Sequence, residues 1–78
     1  MSLYMLVDGY NVINNWQILK EEAQKNLEDA RDKLIDMLAD FKGYSGINII
    51  LVFDAMYVKG SLEKHEEISG IEVVYTRE

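Results

Sequence analysis

Residues 6–14 read LVDGYNVIN and residues 49–55 read IILVFDA, and these two stretches decide the fold. Each is an apolar run that ends in an aspartate, Asp8 in the first and Asp54 in the second. Continuous apolar runs are typical of strands in a parallel sheet that is covered on both faces. The carboxyl ends of parallel strands share one edge of the sheet, where α/β proteins bind ligands. The sequence therefore predicts that both carboxylates lie at the same sheet edge.

The pattern along the chain predicts a small α/β domain with the element order β-α-β-β. Three strands are expected, over Leu3–Val7, Ile47–Phe53 and Ile71–Tyr75. The segment between the last two, residues 56–70, is polar and charged and is expected to be a connection. A strand, a long helix and a second strand form a right-handed unit with parallel strands.

The helix between the first two strands is expected over residues 16–42, where apolar side chains recur at steps of three and four. Asn14 or Asn15 is the expected N-cap of this helix, because a side-chain oxygen there accepts from free backbone amides. Gly43 follows the last periodic residue and is the expected C-cap. A break in the helix is expected near Asn26.

The composition limits the class of protein. The chain has 78 residues, a net charge of −6 and no cysteine. This charge excludes a protein that coats nucleic acid through a basic surface, but it allows an enzyme whose carboxylates bind cations that contact phosphates. The lack of cysteine excludes disulfides and thiolate zinc sites. No stretch approaches the roughly 20 apolar residues that span a bilayer, so no membrane segment is expected.

A divalent cation is the natural occupant of the space between Asp8 and Asp54, because two carboxylates held close together repel each other. The alternative is that Asp8 belongs to an Asp-Gly turn and that Asp54 only ends a strand. Nucleophilic catalysis is not supported, because none of the serines has a plausible histidine and acid to activate it.

Three further residues near these stretches are candidates for contact with substrate. Asn11 can orient a water molecule or a substrate phosphate, or it can close the loop as an Asx-turn. Tyr10 can stack on a base or lie in the core. Arg31, beside the apolar stripe of the helix, can reach a phosphate backbone or pair with Glu28.

Residues 6–13, the helical segment ARDKL at 30–34 and VFDA at 52–55 together resemble the YacP-like branch of the NYN domains, in the PIN-like nuclease group. The resemblance implies a PIN-like, Rossmann-like α/β/α sandwich with a parallel sheet that cleaves RNA with Mg²⁺ or Mn²⁺. It implies that Asp8 and Asp54 bind metal and that Asn11 supports them. It also implies a cytoplasmic, ribosome-proximal role in bacterial RNA turnover.

Members of this branch continue past the position of Glu78 into a helix with further acidic residues. Residues 1–78 are therefore expected to be the N-terminal part of one such domain, with a shortened sheet whose exposed edge allows homo-oligomers to form. The expected function is a metal-dependent endoribonuclease, or the N-terminal part of one. The alternative is a non-catalytic module that binds RNA or a protein. A phosphatase that begins with Asp-x-Asp is disfavoured, because Tyr10 stands where the second aspartate is required.

Overall fold

The computed structural model describes residues 3–54 and 64–76, which form one mixed sheet and a layer of helices. The strands are β1 (Tyr4–Asp8), β2 (Asn48–Phe53), β3 (Lys64–Ile68) and β4 (Ile71–Tyr75). The helices are α1 (Gly9–Asn15), α2 (Gln17–Lys25) and α3 (Leu27–Ser45). The strand order is β1-β2-β4-β3, with β1, β2 and β4 parallel and β3 antiparallel to β4. The predicted α/β class and the parallel pairing are confirmed.

The helical segment begins at Gly9, seven residues before the predicted start, because Asp8 ends β1 and also caps α1. The Asp8 Oδ1 atom accepts a hydrogen bond from the backbone N–H of Asn11 at 3.3 Å. The prediction of an N-cap at Asn14 or Asn15 is therefore wrong, since both residues lie in the last turn of α1.

An asparagine, Asn26, precedes the first residue of α3, and a glycine, Gly46, follows its last residue. The predicted break near Asn26 is confirmed, because its side chain accepts from the first free amides of α3 at 2.9 and 3.3 Å. The predicted C-cap at Gly43 is wrong, because α3 continues to Ser45 and ends at Gly46. Gly46 has a φ of 74°, a left-handed conformation that glycine adopts without steric cost.

β3 lies in the segment that was predicted to be a connection, so the order β-α-β-β lacks one strand. β3 and β4 form a hairpin through Ser69 and Gly70, whose φ angles of 53° and 80° match the twist of a two-residue turn. The charged side chains of β3 hide its alternation, and Lys64 pairs with Glu66 at 2.7 Å. The rest of the predicted connection, residues 56–63, lies outside the described residues.

The core lies between the helices and one face of the sheet. Five buried side chains of that face contact six from the helices: Ile49, Leu51, Phe53, Ile71 and Val73, with Tyr10, Ile13, Leu19, Ala30, Leu34 and Ile35. None of the helices in the described part of the chain is long and apolar enough to cross a membrane.

The opposite face of the sheet, which we call the open face, carries a central apolar stripe of Leu6, Ile50, Val52 and Val74. No described helix covers it, and Leu6 is 72% exposed. The strands were expected to be covered on both faces. Within the described residues they are covered on one, because α1, α2 and α3 form a single layer.

Candidate active site

The structure brings Asp8 and Asp54 to the same edge and the same face of the sheet. Asp8 is the last residue of β1, and Asp54 directly follows β2. Asp8 pairs with Val52, so Asp54, two residues further along the neighbouring strand, projects to the same face. Both carboxylates, with Leu6, Val7 and Val52, line one cavity of about 280 Å³. The two apolar runs thus place two acids around one solvent-accessible space.

Thr76 is a neighbour of this cavity that the sequence reasoning missed. Its backbone N–H donates to the carbonyl oxygen of Phe53 at 3.0 Å, and its hydroxyl donates to Asp54 Oδ1 at 3.4 Å. Its position was the available signal, because Thr76 directly follows β4 just as Asp54 follows the adjacent β2. The hydroxyl therefore limits the orientation of the Asp54 carboxylate.

The two carboxylates have the donor chemistry that suits one hard cation. Mg²⁺ is usually bound by one or two carboxylates and keeps several of its water molecules. Within residues 3–54 and 64–76 there is no group of three or more His, Cys, Asp or Glu side chains that could hold a metal ion. The described donors therefore fit a single hydrated cation, and they do not by themselves form a two-metal centre.

Asn11 lies on α1 and is not among the residues that line the cavity. Its backbone N–H contacts Asp8, while its side-chain Oδ1 accepts from Asn15 Nδ2 at 3.0 Å. These contacts match the alternative interpretation, in which Asn11 closes the turn after β1. A direct role of its amide toward metal or substrate stays a prediction.

Tyr10 is 3% exposed and does not offer a ring face to a base. Its ring lies 5.0 Å from that of Phe53, centroid to centroid, and its hydroxyl accepts a hydrogen bond from Arg31 Nη1 at 3.1 Å. α1 begins early and turns the ring into the core, so a contact of Tyr10 with an RNA base stays a prediction that nothing in the described contacts supports. The other alternative, a core tyrosine, is the one observed.

Arg31 extends from α3 into a group of rings that we call the aromatic cage, formed by Tyr10, Phe53 and Tyr75. The guanidinium carbon lies 5.9 Å from the centroid of Phe53 and 5.8 Å from that of Tyr75. These two rings stack on each other at 5.4 Å. The described contacts of Arg31 include no carboxylate, so the expected alternative of a pair with Glu28 is not what holds it.

Burial raises the pKa of Tyr75 above its ordinary value, and the positive charge of Arg31 partly opposes this shift. The phenol is therefore neutral at physiological pH. Tyr75 consequently contacts Arg31 as an uncharged ring, whose face attracts the guanidinium.

Comparison with known proteins identifies relatives of this chain. The sequence model of the YacP-like NYN domain matches residues 5–78. The chain is 46% identical over 74 residues to the Bacillus subtilis protein YacP. The aligned residues make up 95% of this chain and 43% of the relative. The crystal structure of Rae1 (YacP) from Bacillus subtilis superposes with a TM-score of 0.75 at 42% identity, covering 99% of this chain and 43% of that one. Its W164L mutant gives 0.72 at 37% identity, covering 100% and 42%.

The chain thus spans less than half the length of these relatives. Its match to the family model nevertheless runs from β1 to the end of the sequence, and it includes both aspartates of the cavity. Nucleases with NYN and PIN-like domains generally use divalent metal ions. The chain belongs to the YacP-like NYN domain family, which has the PIN-like nuclease fold.

Proposed function

We propose that the full-length protein is an endoribonuclease that hydrolyses phosphodiester bonds of RNA with Mg²⁺ or Mn²⁺ bound by Asp8 and Asp54. The observation that carries the proposal is that both carboxylates line one cavity at the carboxyl edge of parallel strands. Two carboxylates bind one hydrated cation weakly, so we expect further acidic residues of the full-length protein to complete the site.

A divalent cation in this cavity supplies Lewis acidity toward a phosphodiester. Asp8 and Asp54 supply the negative charge of the site, and neighbouring groups hold their carboxylates in place. The backbone N–H of Asn11 donates to the Asp8 carboxylate and orients it, and the Thr76 hydroxyl orients the carboxylate of Asp54. Water is the attacking group, so that cleavage leaves a phosphate on one fragment and a hydroxyl on the other. Attack by water agrees with a sequence that has no cysteine and no serine with a plausible histidine and acid to activate it.

The test uses the full-length protein, single-stranded RNA and either Mn²⁺ or Mg²⁺. Asp8→Asn is the sharpest variant, because asparagine caps a helix as well as aspartate does and only the charge is lost. We expect Asp8→Asn and Asp54→Asn each to lower the cleavage rate by roughly 100-fold or more, and EDTA to abolish cleavage. Asp32→Asn, at an exposed position of α3, is the matched control and should leave the rate unchanged. Cleavage that survives both EDTA and Asp8→Asn contradicts the metal mechanism.

A second candidate is a non-catalytic module that binds RNA or a protein. The observation in its favour is that, among residues 3–54 and 64–76, only Asp8 and Asp54 contribute carboxylates to the cavity. RNA binding in a gel-shift assay, without cleavage under any divalent ion, would establish it. The net charge of −6 weighs against strong binding of RNA by this chain alone.

We further propose that the substrate is messenger RNA in the cytoplasm, close to the ribosome, as the family resemblance implies. Co-sedimentation of the full-length protein with ribosomes, lost on nuclease treatment, would support this location.

Self-association through the sheet edge also stays a proposal. In the described sheet β1 is an edge strand, and its residues Tyr4 and Leu6 are exposed.

A further inference from the structure

The aromatic cage lies at the same sheet edge as the carboxylates but on the side of the helices. Phe53 directly precedes Asp54, and Tyr75 directly precedes Thr76. Successive side chains of a strand project to opposite faces, so the rings face the helix layer while the polar groups face the other side. The positive charge of Arg31 and the negative charges of the cavity therefore lie on the two sides of one edge.

Arg31 is held in place more firmly than a surface arginine. The faces of Phe53 and Tyr75 attract its guanidinium, and the Tyr10 hydroxyl accepts from Nη1 at 3.1 Å. Each of the rings that it contacts belongs to a residue at least 21 positions away from Arg31 in the sequence. Such contacts keep the flat group in one orientation, so little rotational freedom is lost when it binds a ligand.

The charge of Arg31 lacks an acidic partner among the described residues, although the side chain is partly buried. The hydrogen bond to Tyr10 uses one N–H of the guanidinium fork. The rest of the fork matches the spacing of two oxygens of one phosphate, which arginine binds through parallel hydrogen bonds. A phosphate is therefore the ligand chemistry that this preorganised cation fits.

We propose that Arg31 binds a phosphate of RNA next to the one that is cleaved, and that Tyr10 and Tyr75 are positioning residues for its guanidinium. The proposal rests on the proposed function, since the ligand is the same RNA. It adds a second contact: RNA that crosses the sheet edge meets the carboxylates on one side and Arg31 on the other.

The charge is tested by RNA binding in the full-length protein that carries Asp8→Asn, which prevents cleavage during the measurement. Arg31→Gln should weaken binding of a single-stranded RNA about tenfold or more, as expected when a hydrogen bond to a charged group is lost. The slope of log affinity against log salt should also become shallower by about 0.7, the value for one phosphate contact to a single strand. Lys33→Gln removes an equal charge from an exposed position of α3 and should change neither quantity.

The positioning role is tested by cleavage kinetics in the wild-type background. Tyr10→Phe keeps the ring and the charge of Arg31 but removes the oxygen that accepts its hydrogen bond. We expect KM to rise about threefold with kcat within about twofold, and the salt slope to stay at the wild-type value. Arg31→Lys should likewise restore the slope but not the wild-type KM, because an ammonium group lacks the flat fork.

The outcomes separate the two proposals. Equal affinities and equal salt slopes for Arg31→Gln and Lys33→Gln would overturn the role of Arg31 while cleavage by the wild type upholds the proposed function. If Arg31→Gln proves unfolded in a thermal melt, Arg31→Lys and Tyr10→Phe decide, and wild-type KM in both would overturn the proposal. A wild-type protein that binds no RNA would overturn both proposals together.

Discussion

Replacing Gly9 by alanine is the most direct test of how closely α1 packs against the sheet. A Cβ atom at Gly9 would lie 2.7 Å from Phe53 Cδ1, closer still to Cε1 of that ring, and 3.2 Å from Leu51 Cδ1. Both side chains are fully buried, so neither has space into which it can move. The methyl group must therefore displace the Phe53 ring, which also contacts Tyr10 and Arg31.

The magnitude follows from two opposing effects. Overpacking a well-packed core costs about 1–3 kcal/mol, because side chains and backbone must shift. Alanine favours a helix over glycine by at most about 1 kcal/mol. We therefore expect Gly9→Ala to lower the free energy of unfolding by about 1–2 kcal/mol. Gly43→Ala should raise it by about 0.5–1 kcal/mol, because a Cβ there meets no described atom within 4 Å and gains only the helix preference.

The assay is urea unfolding of the full-length protein and both variants, followed by circular dichroism. The same substitution is made twice, so the comparison isolates the environment of the added methyl group. The midpoint should fall for Gly9→Ala and rise for Gly43→Ala, with the same dependence on urea concentration for all three proteins. A Gly9→Ala protein as stable as the wild type, or more stable, would show that Phe53 does not confine α1 as described.

Three further changes test other contacts. Asn26→Ala should cost about 1 kcal/mol of unfolding free energy through loss of the α3 cap, while Asn14→Ala, at an exposed position in α1, should change it by less than about 0.5 kcal/mol in the same urea titration. Lys42→Met should cost about 1 kcal/mol or more, because its Nζ donates to the Gly70 carbonyl at 2.6 Å and that carbonyl loses its partner. Burial raises the pKa of Tyr75, so the unfolded chain loses this proton first; stability should be fully present below about pH 10 and fall above it, and Tyr75→Phe should flatten that part of the curve.

The apolar pattern of the sequence predicted most of the helices and strands, because such periodicity depends on residues that are close together in the chain. The strands at residues 4–8, 48–53 and 71–75 were predicted to within one residue at each end, and the break at Asn26 followed from its capping chemistry. β3 was missed because four of its five residues, Lys64, His65, Glu66 and Glu67, are polar or charged. Its pairing with β4 comes from the hairpin turn, and periodicity within the strand does not show it.

The site was only partly predictable for a related reason. Asp8 and Asp54 each follow an apolar run, so their shared edge is a consequence of parallel pairing. The aromatic cage instead depends on the phase of α3 and on the register of β2 with β4, which together bring Arg31 to Phe53 and Tyr75. A single hydrogen bond, which the Asp8 carboxylate accepts from the backbone N–H of Asn11, sets the start of α1. That start decides whether Tyr10 points outward or into the core.

The open face predicts how copies of this chain respond to salt. Its apolar stripe favours contact between copies, whereas the net charge of −6 on each copy keeps them apart. Salt screens that repulsion over distances longer than about 10 Å at 0.1 M, and it leaves the apolar attraction intact. Copies of the 78-residue chain on its own should therefore associate more as ionic strength rises. Low-salt buffer, which weakens the solubility of many proteins, is the condition in which this chain is best kept dispersed.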